Sequence, residues 1–389
     1  MKFKRVFLIV CDSLGAGEAI DASNYGDVGA STLGHINETA HLFVPNLKKL
    51  GFLNTVNMSA NEEVEGYYTI ARPTNKGKDT LSGHYEIAGV RCSYAFPTFP
   101  EGFPSDLIEE IERQTGRKVI GNIPASGTEI IKDLGEEQIK TGALIIYTSA
   151  DSVLQVAAHE DIIPLSELYE ICGKIRAIVN TKDEWRVGRI IARPYVGTNA
   201  IDFTRTSNRR DFACDPPSKS ILEKLEENKM SVIAIGKIYD IFNGKGITKK
   251  ITSANNKDGV DKLLDIMDKK FTGLCFANLN DFDTVYGHRR DVNGYARAIE
   301  EFDVEIPMIL NKLNNDDLLI ITADHGNDPT FKGSDHTREN TPVLIYSRIF
   351  NEPKMLPIMN TFADIGATIA ENFEIDPPMI GTSYLKELK

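Results

Sequence analysis

Residues 318–328 read LLIITADHGND, an apolar run that becomes polar within a few positions. Four successive aliphatic side chains from Leu318 are typical of a strand that is buried on both faces of a sheet. Asp324 and His325 follow side by side at the carboxyl end of that strand, where ligands and metals bind in open α/β sheets. One carboxylate oxygen beside one imidazole nitrogen favours manganese, iron or zinc over calcium or magnesium. The alternative is a simple polar turn, which Asp, Gly and Asn also favour.

Two further apolar runs in the chain lead to an aspartate. Asp12 follows the run VFLIVC at residues 6–11, and Asp283 follows the run LCFANL at residues 274–279. The carboxyl ends of parallel strands lie at one edge of a sheet. We therefore expect Asp12, Asp283 and Asp324 to lie close together.

Three of the seven histidines accompany these aspartates. His325 directly follows Asp324. His288 lies five residues after Asp283, and His336 lies in a short polar loop beyond His325. Three Asp and three His at one sheet edge supply enough oxygen and nitrogen ligands for two metal ions. A single aspartate at a strand end means little, whereas this set is hard to explain by chance, and it predicts a metal site.

Composition restricts the classes of protein to which the chain can belong. The 389 residues are 41% apolar and 26% charged, as in an ordinary globular protein that is long enough for two domains. A formal net charge of −12 argues against nucleic-acid binding, although a few local Arg and Lys suffice for a phosphorylated substrate. Five cysteines without a CxxC pair indicate free thiols in a reducing compartment. No apolar run is long enough for a signal peptide or a membrane span, so we expect a cytoplasmic protein with no membrane partner.

Strands alternate with helices along the sequence, which is typical of an α/β fold whose mostly parallel central sheet is flanked by helices. The glycine-rich loop after the first strand continues into a polar segment instead of a helix, so a dinucleotide-binding motif is rejected. Periodicity and end signals predict several elements: helices at residues 105–115 and 165–179, strands at residues 144–148 and 188–192, a helix from Gly294 that Pro307 kinks or ends, and a capping box at residues 361–364.

Two breaks divide the chain. Residues 96–104 contain three prolines and no periodicity, and Cys214 is followed by Asp215 and two prolines. We predict an inserted domain at residues 96–214. Residues 1–95 and 215–389 would together form the metal-binding catalytic core.

Residues 74–86 form a polar stretch, TNKGKDTLSGHYE. It brings the hydroxyls of Thr80 and Ser82 together with His84. Considered alone, the stretch is best interpreted as a solvated loop, since its composition is typical of one.

Several segments of the chain together resemble the phosphopentomutases of the prokaryotic type, a family of the alkaline phosphatase superfamily. They extend nearly from end to end: VCDSLGAGE (10–18), GKDTLSGHYE (77–86), SADSVLQ (149–155), RTSNR (205–209), DFDTVYGHRR (281–290), TADHGNDP (322–329), DHTRE (335–339) and SYLKELK (383–389). Cys11 stands where the family usually has Met, and Ser82 and Tyr85 stand where it usually has Thr and Trp. None of the three is at a position that must bind metal. The resemblance implies an alkaline-phosphatase-like core with an inserted α/β cap domain.

The resemblance also implies roles for the residues at the sheet edge. Thr80 would be the phosphorylated nucleophile, located between two Mn²⁺ ions that it contacts. One ion would be held by Asp12, Asp324 and His325. The other would be held by Asp283, His288 and His336. The chemistry agrees, because a threonine hydroxyl is a poor nucleophile and metal coordination is one of the few ways to activate it. His84 is expected to support Thr80, and direct catalysis by His84 is the alternative.

The family's substrate positions are matched by a further set of polar side chains. They are Ser149, Asp151, Arg189, Arg205 and Lys237. Arginine forks suit bidentate phosphate binding, and an aspartate can accept hydrogen bonds from sugar hydroxyls. Arg193, Arg209 and Arg210 remain undecided between phosphate contacts and a solvated surface.

The activity that the resemblance implies is the interconversion of α-D-ribose 1-phosphate and D-ribose 5-phosphate, or of the 2-deoxyribose equivalents. It would proceed through a phosphothreonine enzyme and a sugar 1,5-bisphosphate. That bisphosphate, or glucose 1,6-bisphosphate, would be the activator, and small pentose phosphates would be the partners. The alternatives are a phosphatase or another phosphomutase of the superfamily, and a metal-dependent binding protein that has lost activity. Phosphoglycerate mutases use a serine nucleophile and are longer, and an inactive relative would lack a ligand or the nucleophile. The oligomeric state stays open.

Overall fold

The structure is a computed structural model and describes residues 2–60, 63–149 and 151–389. The chain divides into two compact units. The first unit consists of Met1–Ala95 and Pro216–Lys389, and the second unit is Phe96–Asp215.

Thirteen strands and twelve α-helices lie in the described residues. The strands are β1 (Arg5–Cys11), β2 (Tyr67–Ala71), β3 (Val119–Pro124), β4 (Leu144–Thr148), β5 (Val153–His159), β6 (Arg189–Val196), β7 (Thr204–Arg205), β8 (Arg210–Ala213), β9 (Ser231–Ile235), β10 (Lys249–Ile251), β11 (Gly273–Leu279), β12 (Asp317–Thr322) and β13 (Thr341–Tyr346). The helices are α1 (Thr32–Ala40), α2 (Pro45–Lys49), α3 (Asn54–Asn57), α4 (Thr80–Ile87), α5 (Ser105–Thr115), α6 (Gly127–Thr141), α7 (Leu165–Val179), α8 (Ile221–Glu227), α9 (Ile238–Ile241), α10 (Asn256–Met267), α11 (Val292–Lys312) and α12 (Ala363–Asn372). No helix among them is both long and apolar enough to cross a bilayer.

The first unit is built on a seven-stranded sheet with the strand order β10-β9-β11-β1-β12-β13-β2. The five strands from β10 to β12 are mutually parallel, and β13 runs antiparallel to both β12 and β2. This confirms the mostly parallel central sheet that the sequence predicts. Because β1 lies between β11 and β12, the carboxyl ends of these three strands are neighbours at one edge.

Helices cover both faces of this sheet. On one face, Phe7, Ile9 and Cys11 of β1 pack into a core that includes residues of α1, α10 and α11. On the other face, α9 contacts β9 and β11, and α4 packs between α9 and α12. Since both faces are covered, β1 is buried along its whole length, as its continuous apolar sequence predicts.

Helix α11 does not end at Pro307, because it continues to Lys312. Proline has no N–H, so the carbonyl of Asp303, four residues earlier, loses its partner within the helix. The side chain of Asn46 replaces that donor at 3.1 Å. In return, the Asp303 carboxylate accepts the backbone N–H groups of Asn46 and Leu47 at the start of α2. A contact with a neighbouring helix thus allows the proline to remain inside α11.

Two other local expectations differ from the structure. The polar stretch of residues 74–86 is not a loop throughout, because α4 begins at Thr80. The expected capping box at residues 361–364 is only half formed, because Asp364 accepts the Thr361 N–H at 3.4 Å but the reciprocal bond is absent. The Thr361 hydroxyl instead donates to Glu86 at 2.6 Å, and α12 begins at Ala363.

The second unit has its own six-stranded sheet, in the order β3-β4-β5-β6-β7 with β8 also paired to β6. One face packs on α5 and α7 and the other on α6, each through a separate apolar cluster. The bounds of α5 and α7 confirm the helices predicted at residues 105–115 and 165–179. Gly116, which ends α5, has a φ of 69°, the left-handed conformation that makes glycine common after a helix.

Candidate active site

The aspartates at the ends of three neighbouring strands come together at the carboxyl edge of the first unit's sheet. Asp12 directly follows β1 and Asp324 lies two residues after β12. Asp283 lies in a single π-helical turn, Phe282–Gly287, that begins three residues after β11. Such turns are frequent at functional sites, and this one places Asp283 and His288 on the same side.

Asp12, Asp324 and His325 form one compact group of potential metal ligands. One donor atom from each lies within 4.8 Å of the others, and all three side chains are buried. The His325 Nε2 atom is 3.4 Å from Asp12 Oδ1 and 3.5 Å from Asp324 Oδ2. Asp12 Oδ1 has no hydrogen-bond partner among the described residues, and Asp324 Oδ2 lies 3.0 Å from the His84 Nδ1 atom, which also faces the Thr80 carbonyl. Buried carboxylate oxygens without a donor are costly, so this group is suited to a cation.

The electrostatics of this group lead to the same conclusion. Burial lowers the pKa of His325, but the carboxylates of Asp324 and Asp12 outweigh burial and raise it well above its ordinary value. A field that holds a proton on a buried imidazole also favours a metal cation at the same place.

Asp283, His325 and His336 form a second group, again with donor atoms within 4.8 Å of one another. His336 Nε2 is 3.4 Å from Asp283 Oδ1, and His288 Nε2 is 3.2 Å from Asp283 Oδ2. The Nε2 atoms of His288 and His336 are 3.1 Å apart. Burial raises the pKa of Asp283, but His336 and His288 hold it well below its usual range. The rings of His325 and His336 stack at 4.0 Å, so His325 borders both groups.

A second layer of fixed groups orients the six side chains. Each histidine has its Nδ1 atom near a backbone carbonyl, which leaves Nε2 for the group. These pairs are His288 with Ser334 O at 3.2 Å, His325 with Gly326 O at 3.1 Å and His336 with Lys78 O at 3.0 Å. Each aspartate accepts one hydrogen bond, namely Asp12 from Asn278 Nδ2 at 2.9 Å, Asp283 from Asn327 Nδ2 at 2.8 Å and Asp324 from the Ser13 N–H at 3.0 Å. This is the outer layer that metal-ligating His and Asp have in metalloproteins.

The six side chains therefore fit two divalent cations. Mixed oxygen and nitrogen donors, buried and oriented by outer hydrogen bonds, are the chemistry expected for manganese, iron, cobalt or zinc. His325 belongs to both groups, so two ions could bind side by side there.

Thr80 is the first residue of α4, and its Oγ1 atom is 3.4 Å from His325 Nε2. Ser82, the other hydroxyl in this stretch, is fully buried and donates to Asp79 Oδ2 at 2.7 Å. Asp79 also accepts the Ser82 N–H and so caps the helix. The hydroxyl that faces the candidate metal groups is therefore that of Thr80.

His84 contacts two residues of the candidate site, Thr80 and Asp324. Its Nδ1 atom is 2.9 Å from the Thr80 carbonyl and 3.0 Å from Asp324 Oδ2, and its ring stacks on Phe276. These contacts reach the backbone of Thr80 and not its hydroxyl, in agreement with a supporting role.

The residues of the outer layer were not predicted from the sequence. Asn278 is a single amide inside the apolar strand β11, and that exception to the pattern was the available signal. Asn327 and Ser13 gave no signal of their own, although Ser13 has a φ of 69°, which is uncommon for a residue with a side chain.

Of the predicted substrate residues of the second unit, Ser149 and Asp151 lie between β4 and β5, Arg205 is on β7 and Arg189 is on β6. Arg189 begins that strand, and its Nη2 atom is 3.6 Å from Asp151 Oδ2. Ser149 is half-buried, and Ala150, between it and Asp151, lies outside the described residues. Arg205 pairs with Tyr195, six residues along β6 from Arg189, or about 20 Å of strand. The structure therefore does not place the backbones of Arg189 and Arg205 side by side.

The undecided arginines have different surroundings. Arg193 donates to Gln155 at 3.0 Å, and its pKa is lowered by burial and further by Arg209 and Arg205 nearby. Arg209 forms a two-point contact with Asp211. Arg210 lies over the rings of Tyr169 and Phe212, which explains it by packing.

Lys237 belongs to the first unit and lies just after β9, at the same sheet edge as the candidate metal groups. Its ammonium donates to the side-chain oxygen of Asn280.

The fold and these groups together define an α/β protein with a candidate two-metal centre at the carboxyl edge of its main sheet. The model of the Metalloenzyme superfamily matches residues 4–377, so the chain belongs to that superfamily.

Three solved structures are similar to this chain. A phosphoglycerate mutase of Leishmania mexicana, studied at low cobalt concentration, is 13% identical with a TM-score of 0.50, over 98% of this chain and 97% of that one. A protein in the alkaline phosphatase superfamily from Vibrio parahaemolyticus is 13% identical with a TM-score of 0.47, over 100% and 71%. The PH0037 protein of Pyrococcus horikoshii is 16% identical with a TM-score of 0.46, over 89% and 88%.

Proposed function

We propose that the protein is a phosphopentomutase that interconverts α-D-ribose 1-phosphate and D-ribose 5-phosphate, and the 2-deoxyribose equivalents. The observation that carries the proposal is the position of Thr80. Its hydroxyl lies at the N-terminus of a helix and faces His325, the histidine that both candidate metal groups contain. The Ser82 hydroxyl is instead bonded to Asp79. The segments that resemble phosphopentomutases contain these same residues.

The metal-binding part of the proposal assigns six ligands. One divalent cation would be held by Asp12, Asp324 and His325, and the other by Asp283, His288 and His336. When bound, two such cations neutralise charge on a phosphoryl group and lower the pKa of a coordinated hydroxyl. Manganese is the ion that the sequence resemblance implies.

The chain itself contributes to holding a phosphoryl group at Thr80. The first N–H groups of a helix have no acceptor within the helix, and its N-terminus carries a partial positive charge. Helix α4 begins at Thr80, so its free N–H groups would bind phosphoryl oxygens. His84 fixes this arrangement, because it contacts both the Thr80 carbonyl and Asp324.

In the proposed cycle, phosphorylated Thr80 transfers its phosphoryl group to the free hydroxyl of the pentose phosphate. The Thr80 Oγ1–P bond breaks as the bond from the sugar oxygen to phosphorus forms, the proton of the sugar hydroxyl ends on Thr80 Oγ1, and a sugar 1,5-bisphosphate results. The bisphosphate then turns round and returns its other phosphoryl group to Thr80. A sugar 1,5-bisphosphate or glucose 1,6-bisphosphate would prime the enzyme.

The turning step requires a second site for the phosphate that is distant from Thr80. We propose that Ser149, Asp151, Arg189, Arg205 and Lys237 bind the sugar and this phosphate. Guanidinium groups bind phosphate in a bidentate manner, and Arg205 is exposed on β7. The second unit would act as the cap that excludes water, because hydrolysis of the phosphothreonine would inactivate the mutase.

A coupled assay tests the proposal. The purified protein, supplied with Mn(II) and glucose 1,6-bisphosphate, should convert ribose 1-phosphate to ribose 5-phosphate without release of inorganic phosphate. Intact-mass analysis should show one phosphate on the peptide that contains Thr80. Release of inorganic phosphate faster than isomerisation would favour a phosphatase. Activity on phosphoglycerate but not on pentose phosphates would favour another phosphomutase.

A further inference from the structure

The segment that leads into Thr80, residues 73–79, has no regular secondary structure. Two buried side chains of opposite charge, Arg338 and Glu86, nevertheless bond to its backbone. The segment leads directly into Thr80, the proposed nucleophile. The contacts that hold the segment in place therefore also determine the position of the Thr80 hydroxyl.

Arg338 binds the carbonyl groups of the segment. It is 2% exposed, and its Nη1 atom donates to the carbonyls of Asn75 at 2.7 Å and Gly77 at 3.0 Å. Its Nη2 atom donates to the carbonyl of Pro73 at 3.3 Å. These carbonyls belong to alternate residues, which point the same way in an extended chain.

The rest of the guanidinium group is held by Asp21. Arg338 Nε is 3.0 Å from Asp21 Oδ1, and Nη2 is 2.9 Å from Asp21 Oδ2. The fork geometry fixes the plane of the guanidinium group. The direction of the remaining donors toward the segment is fixed with it.

Glu86 binds the amide groups of the same segment. Its carboxylate accepts the N–H groups of Thr74 at 2.9 Å and Asn75 at 2.6 Å, and the Thr74 hydroxyl at 2.7 Å. Glu86 is in α4, the helix that begins with Thr80. The segment is thus tied to its own helix by Glu86 and to a distant part of the chain by Arg338.

That distant part also carries a proposed metal ligand. Arg338 lies two residues after His336, and His336 Nδ1 is 3.0 Å from the carbonyl of Lys78. Lys78 in turn forms ion pairs with Asp27 and Asp335, both at 3.0 Å. The proposed nucleophile and one proposed metal group are therefore connected through a short, buried set of contacts.

We infer that Arg338 is a positioning residue, which holds residues 73–79 so that the Thr80 hydroxyl stays opposite the metal groups. Its catalytic consequence rests on the proposed function, whereas its effect on the segment does not. A hydroxyl displaced by about 1 Å can lower a rate by roughly a hundredfold. Arg338→Met should therefore lower kcat by about that factor and leave KM near its original value, because the substrate contacts lie elsewhere.

The segment itself supplies a readout that does not depend on activity. Lys76 is exposed, and trypsin cleaves after it once the surrounding chain opens. Loss of a buried hydrogen bond to a charged group increases the equilibrium constant for such local opening about ten- to a hundredfold. Arg338→Met should accelerate cleavage after Lys76 by about that factor, and Arg338→Lys, which keeps the charge but not the fork, by less. Metal content should stay at the level of the unaltered protein.

Arg348→Met is the matched control, because Arg348 also donates to two backbone carbonyls of the first unit, those of Leu310 and Asn311. It should change neither cleavage at Lys76 nor kcat. If Arg338→Met does not fold, Asp21→Asn provides a milder variant, since the Asp21 side chain is 31% exposed. It should increase cleavage at Lys76 less than tenfold.

Three results would overturn the inference. Cleavage at Lys76 could be unchanged in both Arg338 variants, or in Asp21→Asn if those do not fold. Metal could be lost while Lys76 stays protected, which would make Arg338 a support for His336. The Thr74 and Asn75 amides of the unaltered protein could exchange hydrogen as fast as an open loop. An inactive but intact protein whose cleavage follows these predictions would instead contradict only the proposed mutase activity.

Discussion

Asn278 offers the sharpest test of the candidate metal centre. Its Nδ2 atom donates to Asp12 Oδ2 at 2.9 Å, whereas its Oδ1 atom is buried and has no hydrogen-bond partner among the described residues. In Asn278→Leu the side chain keeps its branched shape but loses the donor. We expect weaker metal binding at the Asp12 group with little change in the stability of the metal-free fold.

The expected loss of metal affinity follows from the contacts of Asn278 Nδ2 and Oδ1. A hydrogen bond to a charged group contributes about 1.5–3 kcal/mol, and about 1.4 kcal/mol corresponds to a factor of ten. Loss of the Asp12 contact should therefore weaken binding of one cation roughly 10- to 100-fold, as is typical for outer partners of metal ligands. The free energy of unfolding of the metal-free protein should change little, because removal of the unpaired Oδ1 atom offsets the lost bond.

The assay is a titration with Mn(II), in which the electron paramagnetic resonance signal reports free ion and elemental analysis reports bound ion. Asn327→Leu is the companion variant, because Asn327 makes the equivalent contact with Asp283 at 2.8 Å. Each variant should weaken one of the two binding steps. Asn228→Ala, which removes an exposed amide, is the control. If Asn278→Leu binds two ions as tightly as the unaltered protein, the assignment of Asp12 as a metal ligand is wrong.

Three further predictions concern the same centre and the proposed substrate contacts. Chelation should lower the melting temperature by about 5–10 °C relative to protein at a hundredfold excess of Mn(II) over Kd, and added Mn(II) should restore it. If calorimetry shows no such shift, no metal binds selectively to the folded state. Thr80→Ala should abolish the phosphopeptide and the mutase activity, whereas Ser82→Ala should retain both; mass spectrometry that finds phosphate on Ser82 would identify the other hydroxyl as the nucleophile. Arg205→Ala should lower kcat/KM about 10- to 100-fold with metal content unchanged, and Arg210→Ala much less; equal kinetics in the two variants would place the distal phosphate elsewhere.

The sequence predicts well the strand ends that carry the proposed metal ligands. A buried parallel strand is apolar on both faces, so the transition from Ile321 to Asp324 identifies a strand end without knowledge of its partners. The predicted helix at residues 165–179 agrees with α7 because its apolar residues recur on one face. The six proposed metal ligands come together because three such strands are neighbours.

Helix α4 was missed because its polar residues serve the site and not the solvent. Ser82 bonds to Asp79, His84 to Asp324, and Glu86 to the segment before the helix. Gly83 is required where the helix approaches the end of β12, since a Cβ atom there would collide with the carbonyl oxygen of Asp324. Local sequence rules fail most readily at functional sites, where buried polar groups replace an apolar face.

The outer layer was missed for a different reason. Asn278 and Asp12 are 266 residues apart in sequence, and no periodicity relates them. Pro307 shows the same limit, because the donor that allows α11 to continue belongs to Asn46, 257 residues away from Asp303. Contacts of this kind depend on the assembled sheet and not on the local chain.

The strand order of the first unit has a consequence for biosynthesis. Its central strand β1 precedes the other strands of the unit in sequence and so leaves the ribosome before them, but its neighbours β11 and β12 end at Leu279 and Thr322. At about 5–20 residues per second, β1 waits roughly 15–60 s for both partners. All strands of the second unit are translated within that interval, between Val119 and Ala213. A nascent chain stalled before residue 273 would expose the apolar residues 6–11 of β1, and we expect chaperones to bind them there.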